Sequence, residues 1–145
     1  MPAHLPRRWS GLGVVVALLA EAMPVAARAG GAFDGAWQTT VSCAAAGGAL
    51  GFSYRFDSEI KDGAFRGLHG ELDAPGYLLI TGAVGADGSA KLYAAGRTGS
   101  KEFVPGRDTP RGTEYGYNID AHFADATGTG TRVEGRPCSL QFERR

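Results

Sequence analysis

Tryptophan, cysteine and histidine are scarce in this 145-residue chain, with two, two and three copies. No cysteine has a histidine or a second cysteine at ligand spacing, so the sequence offers no metal site and implies no cofactor. An excess of charge of one sign is also missing: 15 basic residues face 15 acidic ones. That balance creates no global field for nucleic acid or an anionic membrane, and no local basic stripe replaces it. Long hydrophobic runs are missing too. The longest, "GLGVVVALLA" from Gly11 to Ala20, is shorter than the ~20 residues a transmembrane helix needs. Helical periodicity is absent after it, which excludes an α-helical bundle.

What is present at the start reads as a leader. His4, Arg7 and Arg8 precede the apolar run, and Ala27-Arg28-Ala29 follows it as an A-x-A cleavage signal. Glu21, Met23 and Pro24 interrupt the run and argue against a buried helix. The expectation is a signal peptide over 1–29, a single domain over 30–145, and a periplasmic or secreted location. No cysteine stands at the cleavage point to carry a lipid anchor. Cleavage after Ala29 of 145 residues leaves 116, room for one domain and not two. The two cysteines, Cys43 and Cys138, then read as a disulfide, the usual fate of a pair in an oxidising compartment.

The remaining chain is rich in glycine, threonine and aromatic residues in short alternating runs, which predicts an all-β domain. Eight strands are expected: Gly35–Cys43, Leu50–Lys61, Ala64–Gly70, Gly76–Val84, Ser89–Arg97, Glu114–Phe123, Thr127–Val133 and Arg136–Glu143. Short connections favour antiparallel neighbours. In the second strand Phe52, Tyr54, Phe56 and Ile60 share one face, and Arg55, Asp57, Glu59 and Lys61 the other, the period of a half-buried strand. In the sixth, Tyr115, Tyr117, Ile119, Ala121 and Phe123 point one way. The opposite face carries His122, expected in solvent. Asp62-Gly63 and Asp87-Gly88 mark hairpins. At Asp87-Gly88 a bulge at Gly88 keeps Leu78, Ile80 and Val84 on the face of Leu92 and Ala94. At Asp62-Gly63 two registers remain open. A two-residue turn pairs Ile60 with Phe65 and sends His69 inward; a bulge sends Leu68 inward. In "TGTGT" the glycines Gly128 and Gly130 share a face, where Tyr117 or Phe123 could lie over them in a curved barrel.

Cys43 shares its strand face with Trp37 and Val41, and Cys138 with Leu140 and Phe142. If both cysteines face inward, the first and last strands are neighbours. Antiparallel pairing of Cys43 with Cys138 sets Trp37 opposite Arg144, a cation–π arrangement. The chain is then an eight-stranded antiparallel up-and-down barrel closed by the disulfide, with no free sheet edge.

The Gly35-x-Trp37 pattern, with Arg144 from the last strand packed on the indole, resembles the calycin signature of lipocalins and avidins. That resemblance implies a small closed barrel. Trp37 is the single tryptophan after the leader, so the spaced ligand-binding tryptophans of avidins have no counterpart and biotin binding is not implied. "FDGAW", "KDGAFRG", "ADGSAKLYAAGRTG", "TEYGYNIDAHF" and "GTGTRVEGRPC" are similar to a recurring exported bacterial domain that carries no assigned activity.

Catalytic groups are sparse. After the leader there are two histidines, His69 and His122, and no Gly-x-Ser-x-Gly elbow. Asp57 and Glu59 alternate with Arg55 and Lys61, which reads as a solvated ion-paired face. The glycines of "GAVGADG" precede no helix, so they mark a turn and not a phosphate loop. A non-enzymatic domain is therefore expected. The long connection Thr98 to Glu114 is the one anomaly, since loops of this length are functional or disordered. It carries Lys101, Phe103, Arg107 and Arg111 and leads into Tyr115, residue types common where partners dock. These five form the candidate binding site, with Phe103 alternatively a lid on the barrel mouth. The barrel interior is expected to be crowded by Trp37, Tyr54, Phe56, Tyr117, Phe123 and Phe142, leaving a shallow pocket at one end. The leading functional expectation is a non-enzymatic binding module of unknown ligand, its site at the barrel mouth and the 98–114 loop. The alternative is an inhibitor of an exported hydrolase, docking by a loop or by Gly30–Asp34.

Overall fold

A computed structural model describes residues 31–106 and 108–145. The expected signal peptide and Arg107 lie outside the described residues. Eight strands follow one another around a closed antiparallel barrel, each paired with its sequence neighbours and the last with the first. They are β1 (Gly35–Cys43), β2 (Phe52–Lys61), β3 (Ala64–His69), β4 (Leu78–Val84), β5 (Ser89–Arg97), β6 (Glu114–Ala124), β7 (Thr127–Arg132) and β8 (Cys138–Arg144). Short 3-10 turns occur at Gly31–Phe33 and Lys101–Phe103. No helix of the described residues is long and apolar enough to cross a membrane.

Period-two alternation places one set of side chains inside on every strand. Trp37, Thr39, Val41 and Cys43 are buried along β1, and Phe123, Ile119 and Tyr117 along β6. Closure follows the register read from the cysteines: β8 pairs with β1 so that Cys43 meets Cys138, Val41 meets Leu140 and Trp37 meets Arg144. The disulfide joins Cys43 to Cys138 across 95 residues of sequence.

Both hairpin questions are settled by backbone geometry. Lys61 pairs with Ala64 and Ile60 with Phe65, a two-residue turn in which Asp62 (φ 50°) and Gly63 (φ 76°) both take positive φ, as such turns require. The Asp34 carboxylate accepts the backbone N–H groups of Asp62 and Gly63, at 2.9 and 3.0 Å. At the other hairpin Val84 pairs with Ala90 and Ile80 with Ala94, and Gly88 holds φ 87°, the bulged form. Phe123 and Phe142 approach Gly128 so closely that a Cβ there would meet them at 3.0 and 3.2 Å. Phe123 thus occupies the glycine face, while Tyr117 stands elsewhere, under Arg132.

The two ends of the barrel differ. At the end where β1 begins, Phe33, Trp37, Phe65, Phe123 and Phe142 fill the interior: Trp37 lies edge-on to Phe123 at 5.2 Å and Phe65 edge-on to Phe142 at 5.4 Å. The Arg144 guanidinium covers the indole at 4.9 Å and donates to the carbonyls of Asp34 and Ala32, both at 2.9 Å. Trp37 Nε1–H donates to the Phe33 carbonyl at 2.8 Å. Trp37, Phe65, Phe123 and Phe142 are all almost fully buried, so the end is sealed. At the opposite end the strands are shorter than the sequence suggests: β2 starts at Phe52, β4 at Leu78 and β8 at Cys138, and β7 stops at Arg132. Residues 50, 76, 133 and 136 belong to the connections there, although the N–H groups of Gly76 and Val133 still bond to the carbonyls of Arg97 and Asn118 on the neighbouring strands. Arg136 instead bonds to carbonyls on two other connections.

Loss of the bridge releases a closed loop of about a hundred residues, worth roughly 4–5 kcal/mol in the chain-entropy account. Urea unfolding of the Cys43→Ser/Cys138→Ser variant should show a loss of that order. A midpoint within error of the parent would show that β1–β8 pairing alone holds the ring shut.

Candidate functional site

The open end of the barrel encloses a cavity of about 710 Å³. Its walls come from alternate residues at the ends of β2, β5, β6 and β7 and from the connections above them. Phe52 and Tyr54 rise from β2 and Tyr115 and Tyr117 from β6, strands on opposite sides of the ring. The 98–113 connection forms the roof.

That connection is folded back and pinned. Thr98 Oγ1 donates to the Pro110 carbonyl at 2.7 Å and accepts the Thr113 N–H at 2.9 Å. Leu50 N–H donates to the Glu102 carbonyl at 2.8 Å. Phe103 meets Phe52 edge-on at 6.0 Å. Arg136 is the main tether. Its guanidinium donates to the carbonyls of Ala44 (2.6 Å), Phe103 (2.7 Å) and Leu50 and lies over the Phe52 ring at 4.9 Å. Only 9% of Arg136 is exposed; burial lowers its pKa from the ordinary arginine value, with nearby Arg132 adding to the shift.

The ring faces inside the mouth are largely taken. Phe52 and Tyr54 stack at 5.3 Å, and Tyr54 stacks on His69 at 4.1 Å. Tyr115 and Tyr117 lie parallel at 6.3 Å, and Arg132 covers Tyr117 at 4.2 Å. What the cavity meets is therefore ring edges, hydroxyls and guanidinium groups. The hydroxyls of Tyr54, Tyr115 and Tyr117 make no hydrogen bond to protein among the described residues. Burial raises all three phenol pKa values, that of Tyr54 furthest and that of Tyr117 to about 12. All three stay protonated donors at neutral pH.

Four arginines line the cavity, Arg97, Arg111, Arg132 and Arg136, against one carboxylate, Glu114. Arg97 is engaged by Glu114 at 2.7 Å and by the Gly112 carbonyl at 3.4 Å, while its buried Nε has no partner. Arg132 donates Nε–H to the Glu134 carbonyl at 2.6 Å and forms no ion pair among the described residues. Arg111 is exposed and has no polar partner among them.

The residues singled out from sequence separate accordingly. Phe103, Arg111 and Tyr115 line the cavity; Lys101 is exposed and outside the lining. Arg107 is outside the described residues. Gly35, Trp37 and Arg144 lie at the sealed end, and Cys43 touches the cavity floor from the bridge. Sequence reasoning assigned Tyr54 and Tyr117 to core filling and missed Phe52, Arg132 and Arg136 at the mouth. For Phe52 and Tyr54 the signal was present, since alternation placed them inward near a strand end. Nothing local marked Arg136, whose partners lie 33 to 92 residues away.

His69 sits on the inner side, stacked on Tyr54 and beside Phe56 at 5.8 Å, as the two-residue turn requires. Burial lowers its pKa below the ordinary value. The unfolded chain takes up this proton near pH 6.5 and the folded one only at lower pH. Stability should therefore be constant from this group above about pH 7 and fall as pH drops through ~6.5. Urea midpoints from pH 8 to 5 should show the fall, and His69→Phe should flatten it; an unchanged slope would exclude His69 as its source. For the roof, Arg136→Met should cost about 2–3 kcal/mol, because the part-buried carbonyls of Ala44, Leu50 and Phe103 lose a charged donor. Amide exchange at Leu50 and Val104 should accelerate with it, and unchanged protection would show that the roof is held by other contacts.

No family model matches the chain, nor does any curated protein or solved structure, so the chemistry of the mouth carries the functional reading.

Proposed function

We propose that this protein is an exported, non-enzymatic binding module that holds a small molecule in the open mouth of its barrel. The observation that carries the proposal is the cavity of about 710 Å³ lined by Tyr54, Tyr115 and Tyr117, whose hydroxyls bond to no protein group among the described residues. Ligand pockets span ~300–1,000 Å³, mostly apolar with a few converging polar groups. The pinned roof favours a preformed site, which lowers the ordering cost of binding.

Three further features support parts of this reading. The disulfide suits an oxidising compartment outside the cytoplasm. The closed eight-stranded barrel with Arg144 on Trp37 beside Gly35 supports a calycin-like relationship. A binding role in place of catalysis is supported by the histidines: His69 commits its ring to Tyr54 and Phe56, and His122 lies exposed on β6.

A second reading, docking of a protein such as an exported hydrolase, is favoured by one observation. Leu50, Leu72, Phe103, Tyr115 and Val133, all near the mouth, are among the exposed large apolar residues. In that case the rim, and not the N-terminal segment, is the docking element. Phe33 is buried at the sealed end, and Asp34 is spent on the β2–β3 turn.

Native mass spectrometry of the protein purified from its own host should show an adduct of a few hundred daltons. Phe103→Ala and Tyr115→Ala should each weaken its retention, and Tyr93→Ala on the outer wall should not. A bare mass, with one exported protein retained stoichiometrically in a pull-down, would replace the first reading by the second.

A further inference from the structure

The cavity is one-sided in its chemistry. Aromatic rings present a negative face and a positive edge, and here the faces of Phe52, Tyr54 and Tyr117 are covered by Arg136, His69 and Arg132. The ligand-facing surface is built from positive ring edges, phenol hydroxyl donors and guanidinium groups. Negative charge is scarce: among the described residues Glu114 is the single lining carboxylate, and its Oε1 is already held by Arg97. A cation would find only that one group to neutralise it.

The positive charge also has a place. Arg136 is consumed by three carbonyls and Arg97 by Glu114. Arg132 and Arg111 keep charge that no carboxylate among the described residues neutralises. Of the two, Arg132 is the fixed one. Its guanidinium plane is held against the Tyr117 ring at 4.2 Å and its Nε is anchored on the Glu134 carbonyl at 2.6 Å. A guanidinium oriented in this way recognises a carboxylate at little ordering cost. Around it Phe52, Phe103, Val104, Pro75 and Pro105 supply apolar lining.

We infer that the mouth selects an organic anion, a molecule with an apolar body and one carboxylate, with the carboxylate placed at Arg132 among the hydroxyls of Tyr54, Tyr115 and Tyr117 and the body lying against Phe52 and Phe103. The inference rests on the mouth being a ligand site. It adds the sign of the ligand's charge and the residue that reads it. Arg111 stands at the rim, where its charge contributes to attraction more than to the bound geometry.

The test compares carboxylates with their neutral primary amides on the purified, oxidised protein by titration calorimetry. Benzoate, naphthalene-2-carboxylate and decanoate serve as three bodies, each measured beside its amide. The carboxylate should bind at least about tenfold tighter than the amide for the body that fits best, the scale of one charged hydrogen-bonded contact. Arg132→Gln should erase that ratio, with the carboxylate losing at least about tenfold in affinity and the amide less. Arg111→Gln, at an exposed side chain with no partner to lose, should keep the ratio and weaken the salt dependence of carboxylate binding. Thermal melts of both variants check that the barrel is intact. Should Arg132→Gln fail to fold, persistence of the parent's carboxylate preference in 0.5 M salt decides the point, since a specific contact survives screening and a diffuse field does not. If amide and carboxylate bind equally, the anion inference is overturned and the binding reading survives. If no body binds in either form, both are overturned.

Discussion

The pairing of β1 with β8 is the constraint on which everything else in this molecule depends. Seven residue pairs from Trp37–Arg144 to Cys43–Cys138 convert a meander into a ring. A ring has no sheet edge and only one inside. Each strand then has to assign alternate residues to a narrow interior, and the glycines of β7 become necessary where Phe123 and Phe142 crowd it. The disulfide reinforces the same seam at its mouth-side end, and Arg144 reinforces it at the other by covering Trp37 and bonding to the carbonyls of Asp34 and Ala32.

Closure also makes the two ends unequal. At the sealed end the connections are short turns, so Phe33, Trp37, Phe65, Phe123 and Phe142 can meet across the axis. At the open end the connections are long, and the aromatic rings of β2 and β6 stay against their own walls, held there by Arg136, His69 and Arg132. The cavity is the space those long connections prevent from collapsing. Arg136 matters most here, because one buried guanidinium ties three connections together through the carbonyls of Ala44, Leu50 and Phe103. The cost of burying that charge is offset by satisfying all three.

Much of the fold was legible because it depends on rules that act locally. Alternation in β2 and β6 identified inward faces, Asp-Gly pairs identified turns, and Cys43 with Cys138 fixed the closing register. Even the bulge at Gly88 followed from keeping Ile80 on the side of Ala94. The β2–β3 register was not decidable, since both turns leave apolar residues inside and the choice depends on Asp34 receiving the turn's N–H groups from 28 and 29 residues away. At the mouth, the length of the 98–114 connection drew attention to Phe103, Arg111 and Tyr115. It also drew in Lys101, which the folded loop turns to solvent.

An all-β ring of eight strands, its closing pair and its disulfide can be read from the chain, because strand period, turn chemistry and cysteine placement are properties of neighbouring residues or of a single pair. The roles of the arginines at the mouth depend on folded surroundings that the chain alone does not reveal. The closing register had already set Arg144 on Trp37. Arg97, Arg132 and Arg136 look alike in the chain, yet one is paired with a carboxylate, one lies on a tyrosine with no carboxylate partner among the described residues, and one is spent on carbonyls. The fate of a charge is set by what surrounds it in three dimensions, and those surroundings come from segments far away in sequence.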